Sequence, residues 1–217
     1  MKFNISLTDK LKFISTFETF ISDNMPKEET FDRDIVLKQA TDVFHNKGFN
    51  ATSMQDLVNA TGLNRSSIYN SFNNKVNLFL ECLSSYEDSI NRKTTKRLLN
   101  SSNGLEAVRQ IFELSLNEIA VNKDTQGCLI VNCKSEMANH EESITNFLNL
   151  NQKKTLSLLE DLVSQGQQDK TINNNQNSKE YALYLYSSLQ GFRMTGILVS
   201  DKKQLQSIII NVLQILI

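Results

Sequence analysis

Residues 64–70 of this chain read NRSSIYN. Arg65, Ser66, Ser67 and Asn70 are the side chains here that could recognise another molecule. All are short or hydrogen-bonding, the types that pair with the polar edges of bases, and Arg to guanine is the commonest such contact. Arg65 equally suits a solvated charge, or one bound to phosphate. No comparable set for bond-making chemistry stands out. The chain has 2 His, and it shows no Gly-rich phosphate loop, no paired carboxylates and no nucleophile motif, which argues against an enzyme. His140, with Glu141 and Glu142 beside it, lacks a partner at ligand spacing and reads as a solvated helix start, so no metal and no cofactor is expected.

The elements that must position NRSSIYN are legible around it. The chain is poor in breakers, with 7 Gly and 1 Pro among 217 residues, and its abundant helix formers predict an all-α fold. A helix is predicted over 32–47, with Val36, Leu37, Ala40, Val43 and Phe44 inward and Gly48 at its left-handed end. Thr52 starts a second helix, forming a capping box with Gln55. Gly62 then interrupts the pattern, Asn64 caps a third helix, and Asn73 and Asn74 end it. Two short helices joined by a Gly-containing turn form a helix-turn-helix, whose second helix can enter the major groove of DNA. A longer helix follows from Lys75, and five more are predicted near 105–121, 127–139, 142–168, 178–199 and 202–217.

The pattern is wider than a turn between helices. Ala40, Phe44, GFNATSMQDL (48–57), Ala60, GL (62–63), SIYNSF (67–72), Lys75 and LF (78–79) stand in the register of one family. The segment 35–80 thereby resembles the TetR family of transcriptional regulators. GCLIVN at 127–132 resembles a further segment of that family. The resemblance implies phosphate contacts from Thr52, Tyr69 and Lys75. Thr52 also suits a plain N-cap, and Tyr69 a core position. It implies a helix-turn-helix DNA-binding domain over 32–76 and a ligand-binding and dimerisation bundle over 77–217. It further implies a homodimeric, ligand-responsive regulator, a repressor on a near-palindromic operator in double-stranded DNA.

The bundle offers candidates for the two other roles. Phe112, Leu116, Met137, Phe147 and Leu150 are candidate lining for a small-molecule effector, although each suits a plain core position better, because pocket and core use the same residue types. Tyr181, Leu185, Leu189, Phe192 and Ile197 form one apolar stripe. Leu205, Ile208, Ile209, Val212, Leu213 and Leu216 form another. The resemblance implies that two such helices from each subunit pack as a homodimer through 178–217; the other reading is that they complete one chain's own core.

Composition bounds the setting. Net charge is -1, so any nucleic-acid surface is local. Over 27–80, Lys27, Arg33, Lys38, Lys47, Arg65 and Lys75 face an equal number of acids, which keeps open an alternative: a helical interaction factor that retains the fold without specific DNA binding. Cys82, Cys128 and Cys133 contain no CxxC pair and read as buried, reduced thiols of a cytoplasmic protein, with a redox sensor as the other reading. IIINVLQILI near the end is too short to span a bilayer. Residues 1–31 form an N-terminal extension, either an accessory helix with Leu7, Leu11, Ile14, Phe17 and Ile21 on one face, or the product of a start upstream of Met25.

Overall fold

The computed structural model of this protein describes residues 31–121 and 126–217. Nine α-helices and no strand lie among them. They are α1 (Arg33–Ala51), α2 (Met54–Thr61), α3 (Arg65–Phe72), α4 (Lys75–Leu98), α5 (Gly104–Val121), α6 (Leu129–Met137), α7 (Glu142–Gln168), α8 (Ser178–Thr195) and α9 (Lys202–Gln214). The all-α expectation holds, and the predicted boundaries hold to within a few residues. The proposals for residues 1–30 lie outside the described residues. Asp34–Ile217 forms one compact unit. No helix among the described residues is long and apolar enough to cross a membrane.

The first three helices owe their short lengths to punctuation. Gly48 breaks α1 with φ 77°, a conformation that costs Gly little and an L side chain much. Gly62 closes α2 at φ 69°, and its N–H donates to the Val58 carbonyl at 3.0 Å. Asn73, at φ 64°, ends α3, and the Asn74 side chain opens α4 by accepting from Asn77 N at 2.8 Å. Beneath them the rings of Phe44, Phe49 and Phe79 pack together, with centroids 4.7 Å apart for Phe44–Phe79 and 5.1 Å for Phe49–Phe79. Leu57, Ile68 and Phe72 complete this small core.

A second core is shared by α5, α7, α8 and α9 and includes Phe112, Leu116, Leu159, Val163, Leu185, Phe192, Ile209 and Leu213. At one end, Gly104 of α5 abuts Gly166 of α7 so closely that a Cβ on Gly104 would overlap the Gly166 backbone. The same core corrects one expectation. Of the two stripes expected at a dimer interface, Tyr181, Leu185, Leu189, Phe192, Leu205, Ile209, Val212, Leu213 and Leu216 are buried within a single chain, and Ile197 and Ile208 are half-buried. The apolar side chains these two helices leave exposed are others: Leu183, Tyr184, Met194 and Ile210, with Leu198 in the following turn. Helical period alone marks the most apolar face, and that face goes to the chain's own core first.

Candidate functional site

The α2–Gly62–α3 unit forms the expected helix-turn-helix shape. Asn64 Oδ1 accepts from Ser67 N at 2.8 Å, so Asn64 is the N-cap of α3. Ile68 and Phe72 are buried, which fixes which side of α3 faces solvent. Arg65, Ser66, Tyr69 and Asn70 stand on that exposed side, with Tyr69 43% exposed, while Ser67 is half-buried. No carboxylate of the described residues pairs with Arg65. The arrangement presents one unpaired cation, a phenol and three hydrogen-bonding side chains along an eight-residue helix.

The expected cap of α2 is displaced by one residue. Thr52 is not the N-cap of α2. It is 1% exposed, and its hydroxyl donates to the Gly48 carbonyl at 2.6 Å. Ser53 is the N-cap: its Oγ accepts from Asp56 N at 3.1 Å, and Asp56 Oδ2 accepts from Ser53 N at 2.9 Å. The S-x-x-D reading was available one residue on, and a carboxylate at the third helical position satisfies a backbone donor better than an amide. The Lys47 ammonium, 2.5 Å from Asp56, and then Ser53 hold that carboxyl well below the usual range. Lys75 is also committed. Its Nζ donates to the carbonyls of Phe49 and Thr52, at 2.9 Å each, and sits 4.3 Å from the Phe49 ring centroid. It joins the end of α1 to the start of α2 and keeps one N–H for another partner.

Sequence reasoning missed the contact between this unit and the bundle. Glu136 of α6 accepts from Phe49 N at 2.9 Å and from Asn50 N at 2.7 Å. Gly48 makes this possible, because a Cβ there would lie 2.8 Å from Glu136 Oε2. His45 of α1 hydrogen-bonds the Gly127 carbonyl at 3.0 Å. A carbonyl only accepts, so His45 Nε2 carries the hydrogen. Burial lowers the His45 pKa.

That histidine borders a cavity of about 530 Å³. Tyr86 and Ile90 of α4, Leu114, Ser115 and Ile119 of α5, and Cys128 and Arg193 also line it. None of the five predicted lining residues does. Phe112, Leu116 and Met137 are buried core, Leu150 is exposed and Phe147 is half-buried. The lining of this cavity comes mostly from α4 and α5, with single residues such as His45, Cys128 and Arg193 from distant segments, so no local pattern announces it. Arg193 was the available signal, as a charge beside Phe192 in an apolar helix. The three cysteines are free and buried, and burial pushes the Cys82 and Cys133 thiols up to about 12. Among the described residues no group of His, Cys, Asp and Glu is placed to hold a metal.

A helix-turn-helix carried by an all-helical bundle is the class these elements define. The chain matches the description "Bacterial regulatory proteins, tetR family" over residues 36–82 and "Tetracyclin repressor-like, C-terminal domain" over 104–211. It belongs to the tetR family of bacterial regulatory proteins. It is 31% identical over 123 residues to YezE of Bacillus subtilis (strain 168), an uncharacterized HTH-type transcriptional regulator, across 57% of this chain and 63% of that protein. It is 31% identical over 123 residues to ComR of Escherichia coli (strain K12), an HTH-type transcriptional repressor, across 56% of this chain and 59% of that one. The chain thus covers less than two thirds of either curated relative. Among solved structures it resembles a cysteine mutant of the TetR family regulator CifR complexed with 26bp double-strand operator DNA. The TM-score is 0.76 at 22% identity, with coverage of 87% and 98% of the two chains. It also resembles reduced E. coli NemR, with TM-score 0.77 at 17% identity and coverage of 85% and 96%. At such identities the likeness is one of fold.

Proposed function

We propose that this chain is a DNA-binding transcriptional regulator that acts as a homodimeric repressor on a near-palindromic operator and is released by a small molecule. The observation that carries this reading is the surface of α3. A helix locked by Ile68 and Phe72 turns Arg65, Ser66, Tyr69 and Asn70 outward, in the segment that matches the family. Residues 32–76 then read double-stranded DNA and residues 77–217 bind the effector and dimerise. Arg65 reads a base edge, with Ser66, Ser67 and Asn70 beside it. Asn64, Tyr69, Lys75 and Ser53, in place of Thr52, contact phosphates at the helix starts. ComR, a relative that is itself a repressor, supports the direction of control.

The homodimer forms through 178–217, over the exposed Leu183, Tyr184, Met194, Leu198 and Ile210 rather than the buried stripes. The effector occupies the cavity of about 530 Å³, a size that suits one small organic molecule. His45 belongs to α1 and also borders that cavity, so an occupant that moves it moves the reader. Glu136 adds a second link, because α6 holds the chain just after Gly48. An occupant that favours one placement of α1 shifts the spacing of the two recognition helices, and with it the fit to DNA.

Selection from a random duplex library with the purified protein tests the reading. A near-palindrome should be enriched, with two half-sites set by the dimer. No enrichment from a folded dimer at low salt would favour the interaction-factor alternative, to which the balanced charge of residues 27–80 lends weight.

A further inference from the structure

The cavity is electrostatically unbalanced. Lys93 and Glu118 both line it and neutralise each other across 3.0 Å. Arg193 also lines it, and no carboxylate of the described residues is in ion-pair range of its guanidinium. Arg193 Nε donates to Ser115 Oγ at 3.2 Å, which fixes the plane of the guanidinium and leaves its Nη donors unspent. The Ser115 hydroxyl accepts that bond, so its own hydrogen remains to be donated. Nearby, Lys134 donates to Tyr186 Oη at 2.6 Å and to Gln190 Oε1 at 3.3 Å, not to a carboxylate. Arg193 acts on Tyr86, Tyr186 and Lys134 as a positive charge. A half-buried guanidinium without a counter-charge is a costly arrangement unless an anion completes it.

We infer that the cavity takes a small amphipathic organic acid, its carboxylate held by the Arg193 guanidinium and the Ser115 hydroxyl. The planar fork of an arginine matches a carboxylate in two parallel hydrogen bonds. The body of the acid packs on Ile90, Leu114 and Ile119, which form the apolar wall. A phosphate monoester fits less well. It brings a charge of about -1.5 to -2, and the lining holds one unbalanced cation. The inference rests on the reading of this cavity as the effector site and adds the chemical class of the effector.

Calorimetric titration of the full-length protein tests it, using hexanoate, octanoate, benzoate and phenylacetate, each beside its primary amide. At least one acid binds, and its amide binds about tenfold or more weakly. In Arg193→Gln the acid falls to the level of its amide, and Arg193→Lys keeps part of the preference. The acid–amide comparison on the unaltered protein stands even if a variant fails to fold. Ile90→Phe, which fills the cavity and keeps the charge, loses the acid. An amide that binds as well as its acid, or an acid preference that survives in Arg193→Gln, overturns the anion class and leaves the cavity as an effector site. Binding of no acid and no amide overturns the inference as well. The regulator reading is judged separately, by the duplex selection, so the two failures are distinguishable.

Discussion

The helix-turn-helix and the α8–α9 pair are held together by different physics. α2 and α3 have eight residues each, too short to be stable alone. Their ends are fixed locally, by Ser53 with Asp56, by Gly62 and by Asn64, and each buries only a few side chains. α8 and α9 instead bury a near-continuous stripe against α5 and α7, from Tyr181 to Phe192 and from Leu205 to Leu216. The first region spends its surface on presenting side chains to solvent. The second spends it on a core. Damage to the second should therefore unfold the protein, whereas damage to the first should mostly change what it binds.

The sharpest test of that contrast is Phe112→Ala. The ring is fully buried beside Phe192, with centroids 6.1 Å apart, and its loss should cost about 3–5 kcal/mol in urea denaturation. A cost below about 1 kcal/mol would mean the bundle core tolerates voids and would break the comparison. Gly104→Ala follows. Its new methyl meets the backbone of Gly166, not a flexible side-chain end, so the helices must part at a cost of about 3 kcal/mol. A melting temperature equal to wild type would show that the α5–α7 contact can open freely.

On the other side, Arg65→Ala should leave stability within about 0.5 kcal/mol, because the side chain is exposed and unpaired. On the selected DNA site it should cost about 1–3 kcal/mol of binding and relax one base position. Unchanged affinity and preference would take Arg65 out of the readout. Asn64→Ala removes a cap worth about 1 kcal/mol. The loss should appear as faster amide exchange confined to α3, and equal acceleration throughout the bundle would show that the two regions are not separable.

The smallest effect is a dependence on pH. Burial lowers the His45 pKa in the folded chain, so protonation favours unfolding. The neutral imidazole's contribution is whole above about 6.5, the ordinary value, and is lost as pH falls below it. His45→Gln should flatten the stability profile below pH of about 6.5, while the unaltered protein declines. A parallel decline in both would assign the slope to other groups.

Much of the reader was legible because its signals are short-range. Gly48, Gly62 and Asn64 act on backbone within four residues of themselves, and Ile68 and Phe72 set the buried side of α3 by helical period. Even so, reasoning from spacing chose Thr52 over Ser53. The deciding fact was the burial of Thr52 under its bond to the Gly48 carbonyl, which adjacent sequence does not reveal. Lys75 shows the same limit. Its place in the pattern was plain, but not its two bonds to carbonyls 26 and 23 residues earlier.

In the bundle the balance reverses. The order of residues is enough to establish that the chain is all-helical, where most helices begin and end, and which side of α8 and α9 is most apolar. These follow from propensity, capping and period, which are properties of neighbours along the chain. It takes the packed helices to show that this apolar side completes one chain's own core. The same packing brings Glu136 to the backbone beyond Gly48, and sets His45, Tyr86, Ser115 and Arg193 from four helices around one cavity. Those contacts join residues more than 80 apart in the chain for Glu136 with Phe49 and for His45 with Gly127. Which distant side chains meet depends on how whole helices pack, and packing is set by the total volume and shape of the core rather than by any local pattern.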